Sequence, residues 1–223
     1  MEAFFVVARY FFIYLHKFMC MKTTFYLLIL SFVIFFSSCE ISQEYDIKKD
    51  LSGNYKLTID FSELAKDDSS ILDKKKTDVD KFNKVINILK KVQGLTNLKY
   101  DFGNKDGLIS YSYDFADLNS LNSALEESSV KVLSFPEVKI KKGFMGKIIY
   151  TRNKLENIDK KDSKINFSNL ITYKTILSFD NDIKKVKSSG DDNYKIEKNK
   201  IIEKGDFSEM FSKNRKFKIS IKK

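Results

Sequence analysis

The 223-residue chain has one histidine, two cysteines, one proline and no tryptophan. The histidine, His16, and one of the cysteines, Cys20, fall within the first 38 residues, so residues 39–223 contain no histidine and a single cysteine, Cys39. That body therefore cannot build a Cys/His zinc site, a Cys–His nucleophile pair or a Ser–His–Asp triad, each of which needs a residue it lacks. Nor can it form an internal disulfide within one mature chain. The eight glycines are scattered and none falls in a G-x-x-x-x-G-K phosphate loop. No cofactor and no metal site is expected. Only three of the 40 basic residues are arginine: Arg9, Arg152 and Arg215. Bidentate reading of phosphate or guanine favours the planar guanidinium, so a nucleic-acid partner is not expected either.

What is present divides at residue 38. Residues 1–38 hold 12 of the 31 aromatics but only four charged residues, Glu2, Arg9, Lys17 and Lys22. Residues 39–223 carry 37 basic and 29 acidic side chains, a net charge of +8 (37 − 29). Their lysines alternate with acids along the chain instead of forming a tract. That pattern reads as a solvated surface, with attraction to anionic lipid or glycan as the other reading.

The apolar run Phe25–Phe36 is broken only by Ser31. Met21-Lys22 precede it and Ser37-Ser38-Cys39 follow it. Read from Met21, this is a short basic region, an apolar stretch and a small-residue cleavage site, the anatomy of a secretory signal. A membrane-crossing helix needs about 20 apolar residues, more than this run supplies. Residues 1–20 then precede the true initiator, Met21. The other reading is an uncleaved signal anchor over residues 4–36, with Cys39 incidental.

Phe36-Ser37-Ser38-Cys39 resembles the lipobox of bacterial lipoproteins, with Phe36 standing where Leu, Val or Ile is usual. The resemblance implies cleavage before Cys39, a diacylglyceryl group on its thiol and acylation of its new amino group. Several acyl chains make a stable anchor where one would be marginal. The Lys-, Asn- and Ile-rich body also resembles, in style alone, small envelope lipoproteins of Bacteroidetes-type bacteria. Together these imply a lipid-anchored protein of the cell envelope, at the outer membrane.

Residues 39–52, polar and without apolar periodicity, read as the lipidated cysteine and a tether. Residues 53–223 read as a single domain. Tyr55, Leu57, Ile59 and Phe61 alternate with polar residues as a half-buried strand does. Val79, Phe82, Val85, Ile86, Leu89 and Val92 recur at helical spacing, with Thr77 as the expected cap and Gly94 beyond the end. Two alternating runs ending at Phe102 and Phe115 flank Gly103–Gly107, a hairpin loop. Leu118, Leu121 and Leu125 mark a second helix, with Asp117 near its start. Further strands are expected at Val138–Lys142, Lys147–Thr151, Thr172–Phe179, Ile183–Lys187, Tyr194–Lys198, Lys200–Glu203 and Lys216–Ile221, with a helical turn near Phe207–Phe211. The fold class is thus α+β: a mostly antiparallel, meander-like sheet under two main helices, after an apolar signal segment.

Motifs with chemical meaning are few. Ser128-Ser129-Val130-Lys131 matches S-x-x-K, but its companion motifs are absent and lysine is so common that chance supplies it. Asp67-Asp68, Glu126-Glu127 and Asp191-Asp192 are adjacent acids that could serve acid–base chemistry. An Asp-Phe-small-acid echo begins at Asp60, Asp114 and Asp206, with a looser copy at Asn166. It reads as a repeated strand-to-helix corner, or as acids shared by one metal. The expected function is a non-catalytic interaction or ligand-binding module whose partner is an envelope protein, lipid or glycan. The alternative is a carboxylate-dependent hydrolase of envelope glycans. Cys39 is the sole expected site residue, as the point of lipid attachment.

Overall fold

Cys39–Ile47 forms a strand, β1, and it lies at the centre of the larger of two sheets. The computed structural model describes residues 39–62, 75–102, 107–155, 171–189 and 193–222. β1 pairs antiparallel with β2 (Gly53–Asp60) and parallel with β7 (Ile171–Phe179). Outward from β2 come β4 (Leu108–Phe115) and β3 (Leu95–Asp101); outward from β7 come β10 (Lys200–Asp206) and β9 (Tyr194–Glu197). This seven-stranded sheet A has the order β3-β4-β2-β1-β7-β10-β9. Sheet B has four antiparallel strands: β5 (Val138–Lys142), β6 (Ile148–Arg152), β11 (Arg215–Ile221) and β8 (Ile183–Ser189).

The inner face of sheet A is set by period-two alternation. Register puts Glu203, Thr175, Gln43, Leu57 and Tyr111 on one rung and Ile201, Leu177, Tyr45, Tyr55 and Tyr113 on the next. Sheet B packs on part of this face. The Tyr45 and Tyr150 rings meet edge-on at 6.1 Å, and those of Tyr194 and Phe217 at 5.1 Å. Helix α1 (Lys75–Leu89) buries Phe82, Val85, Ile86 and Leu89, the stripe its spacing predicts. Helix α2 (Leu118–Ala124) is capped by Asp117, whose carboxylate accepts the Ser120 N–H at 2.8 Å. It continues into a π-helical turn, Leu125–Val130. The Asn122 amide donates to Ile140 O at 2.8 Å and accepts from Ile140 N at 2.9 Å. One side chain thus closes the outer hydrogen-bonding groups of edge strand β5 at that point, where an open edge invites foreign strands. A short helix α3 (Phe207–Ser212) follows β10 and buries Met210. The described residues make one compact unit.

Two expectations are corrected. The strand pairing is mostly antiparallel, as expected, but the architecture is mainly strand and forms two sheets with one parallel pair, β1–β7, and not one meander-like sheet. Residues 40–47, expected to be a tether, form the innermost strand. The physical reason is Gln43. It occupies an inward position between Ile41 and Tyr45, so the alternation is present but one of its inner positions is polar. The expected cap Thr77 and the loop 103–106 lie outside the residues whose side chains are described.

Candidate functional site: the lysine face of sheet B

Charge is segregated between the sheets. The strands of sheet B contain ten basic residues and no acid, while those of sheet A contain nine acids and six bases. Alternation then sorts the sheet B side chains. Ile140, Ile148, Tyr150, Phe217 and Ile219 point inward and are buried. Lys139, Lys141, Lys216, Lys218, Lys185 and Lys187 fall on the outer face. Register aligns Lys141, Ile149, Lys218 and Lys187 on one rung and Lys139, Thr151, Lys216 and Ser189 on the next. Lys218 and Lys187 are direct cross-strand partners. Like charges so placed are destabilising.

Among the described residues Lys139 has Glu137 as an ion-pair partner, and Glu137 also feels the charge of Lys141. No ion pair within the described residues involves Lys185, Lys187, Lys216 or Lys218. The same strands send Arg152 and Arg215 inward. Glu203 of β10 receives Arg152 Nη1 and Nη2, each at 3.0 Å, Arg215 Nε at 2.7 Å and the Tyr173 hydroxyl at 2.9 Å. The Arg152 guanidinium lies 4.9 Å from the Tyr173 ring centre. Burial opposes its charge, but Tyr150, Glu203 and Tyr173 outweigh burial and raise its pKa. Both arginines of residues 39–223 thus tie the sheets together, and the outer face is left with lysine alone. Lysines are point charges on flexible stems, suited to a diffuse anionic surface more than to bidentate recognition.

A second polar feature is interior. The hydroxyls of Tyr55, Tyr111, Tyr113, Tyr150 and Ser129, and Thr175 Oγ1, are buried without a well-formed hydrogen bond among the described residues. Burial raises the pKa of all four of these tyrosines and of Tyr45, whose hydroxyl donates to Gln43 Oε1 at 3.1 Å.

The structure places the residues singled out in the sequence as follows. Cys39 opens β1 at 1% exposure, and its Sγ donates to Asp60 O at 2.8 Å. Burial, with Asp60 adding to it, pushes the thiol up to about 12. Ser128 is buried and donates to Ala124 O at 2.6 Å, while Lys131 is bound to Glu127, so the S-x-x-K pair is taken apart by local helix contacts. Glu126 and Glu127 sit in the π-helical turn; Asp67-Asp68 and Asp191-Asp192 lie outside the described residues. The echo acids do not converge. Asp60 and Asp206 lie on one rung but three strands apart, with Glu40 and Thr172 between them, and Asp114 pairs with Asn54 at the other end of β2. Asp114–Leu118 and Asp206–Met210 are strand-to-helix corners, as read from the sequence; the copy at Asn166 lies outside the described residues.

The lysine face was missed because residues 139–142, 184–187 and 216–218 are separate in sequence and interleaved with acidic segments. Counting charge strand by strand, with alternate positions separated, would have exposed it.

No protein-family model matches the chain, and no curated protein matches it. Among solved structures, the NMR structure of the folded domain of the Mycobacterium tuberculosis protein LppM is similar to it with a TM-score of 0.43 and 11% sequence identity, covering 83% of this chain and 91% of that one.

Proposed function

We propose that this chain is a lipid-anchored protein of the bacterial envelope, held through Cys39, whose domain is a non-catalytic module that binds an anionic partner on the outer face of sheet B. The observation that carries the binding part is the acid-free set of sheet B strands, with Lys218 set directly against Lys187. A fold selected for stability alone gains nothing from that opposition, which an anionic partner would relieve. The anchor rests on the lipobox-like residues Phe36–Cys39. Acylation requires the Cys39 sulfur to give up its hydrogen bond to Asp60 O. Among the described residues the fully buried carboxylate, Glu203, is taken up by two arginines and is not free for acid–base chemistry.

Two measurements test this. Intact-mass analysis of membrane extracts is expected to find an acylated N-terminal Cys39; an unmodified chain starting at Met1 or Met21 refutes the anchor. Retention of the full chain on a heparin column is expected to fall with salt, and to fall further in the K185Q/K187Q/K216Q/K218Q variant. Equal retention of variant and parent refutes the lysine face.

A further inference from the structure

The tip of the β5–β6 hairpin carries the two most exposed large apolar side chains among the described residues, Phe144 at 86% and Met145 at 79%. They lie in a short 3-10 turn, Phe144–Gly146, closed by Gly143 N donating to Lys147 O at 2.6 Å. Met145 is held in the left-handed region at φ 59°, followed by Gly146 at φ 72°. That is an uphill conformation for a residue with a Cβ, and the fold obtains no core contact in return. Lys141, Lys142 and Lys147 flank the turn, giving Lys-Lys-Gly-Phe-Met-Gly-Lys. Beside it opens a cleft of about 420 Å³ with apolar residues such as Ile47 and Phe179 on its floor and Lys48, Lys49 and Lys142 at its rim. The acids here are engaged: Asp180 accepts the Lys49 N–H at 2.9 Å, Asp182 is paired with Lys222 at 3.2 Å, and Asp50, which also interacts with Lys48, accepts from the Ser52 N–H at 3.0 Å and the Ser52 hydroxyl at 2.7 Å.

We propose that this tip and cleft receive an anionic phospholipid of a bilayer. Phe144 and Met145 enter the interfacial layer, and the lysines surround the phosphate. This rests on the reading of sheet B as an anion-binding face and narrows the anion to lipid. An anionic polysaccharide would satisfy the lysines equally well but has nothing to receive two adjacent large apolar side chains. Lipid supplies both, since burying apolar area and attracting lysine to anionic headgroups act together at a bilayer surface. Ile47, on the cleft floor, is eight residues along β1 from Cys39, about 26 Å at the strand rise. The tip therefore lies at the end of β1 away from the anchor, far enough from it to reach a second bilayer.

The full chain reconstituted into phosphatidylcholine vesicles tests this through its capture of separate, dye-labelled vesicles. Phosphatidylglycerol vesicles are expected to be captured and phosphatidylcholine vesicles are not. The F144S/M145S variant is expected to capture about tenfold less, and each of K142Q and K147Q about fivefold less. The tip contributes nothing to the core, so all three variants should melt as the parent does, and F144S/M145S, which keeps every lysine, should also bind heparin as the parent does. Capture unchanged by F144S/M145S overturns the proposal, as does equal capture of both lipids. Heparin binding without capture overturns it while leaving the lysine face standing. Loss of both overturns the two readings together.

Discussion

Glu203→Gln isolates what holds the two sheets together. Glu203 is fully buried and accepts three hydrogen bonds from two guanidinium groups and one from the Tyr173 hydroxyl. The amide keeps the shape but offers one acceptor oxygen and no charge, leaving Arg152, at 1% exposure, without the carboxylate that both its terminal nitrogens engage and breaking the ion pair that Arg215, at 3%, makes with Glu203. Breaking a buried pair from one side costs about 3–5 kcal/mol, because the orphaned charge keeps its desolvation penalty. For a domain of this size that corresponds to a fall in Tm of roughly 6–20 °C. Urea unfolding followed by circular dichroism should show it as a shift in midpoint with little change in slope. The triple variant R152M/E203L/R215M removes all the charges and is expected to lie within about 1 kcal/mol of the parent or above it. A loss below about 1 kcal/mol in Glu203→Gln would mean that water reaches the arginines and that the cluster is not the lock between the sheets.

Lys218→Glu replaces a like-charge cross-strand pair with an opposite one, so it should stabilise the domain by about 0.2–1 kcal/mol while weakening heparin retention; moving both quantities in the same direction would contradict the lysine face. The five buried tyrosines have raised pKa values, so folding retains protons that the unfolded chain releases. Their contribution is intact below the unfolded value of about 10 and is lost as pH rises above it, and absorbance at 295 nm should show them ionising only as the protein unfolds. Ionisation of all the chain's tyrosines, these five included, in one gradual phase before unfolding would refute their burial. In unprocessed chain carrying Cys20→Ser, the Cys39 thiol at about 12 holds its proton at neutral pH. Maleimide labelling at pH 8 should be about a thousandfold slower than in urea, and comparable rates would refute the closed position of Sγ.

The helices were readable because their signals are local. Phe82, Val85, Ile86 and Leu89 repeat within four turns, and Asp117 sits one residue before α2. The β5–β6 hairpin was readable for the same reason. β1 was not, since buried Gln43 interrupts its inner face and its parallel partner β7 begins more than 120 residues later. The division into two sheets was hidden too, because β11 pairs with β6 and β8 across segments that belong to sheet A. One compositional clue was available. In a chain of lysines, Arg152 and Arg215 are the only arginines after residue 38, and both occupy buried positions where a planar fork meets a carboxylate.

A domain gripped at Cys39 and at the Phe144–Met145 tip would be loaded lengthwise along its innermost strand. β1 is laced to β2 from Glu40 to Ile47 and to β7 from Cys39 to Ile47. Tension between the two grips would make both ladders slide at once, where a domain hung from an edge strand would unzip one hydrogen bond at a time. With no slack between the grip and β1, the central strand is also the towline, and the rate of forced unfolding is set by how those two ladders fail in shear.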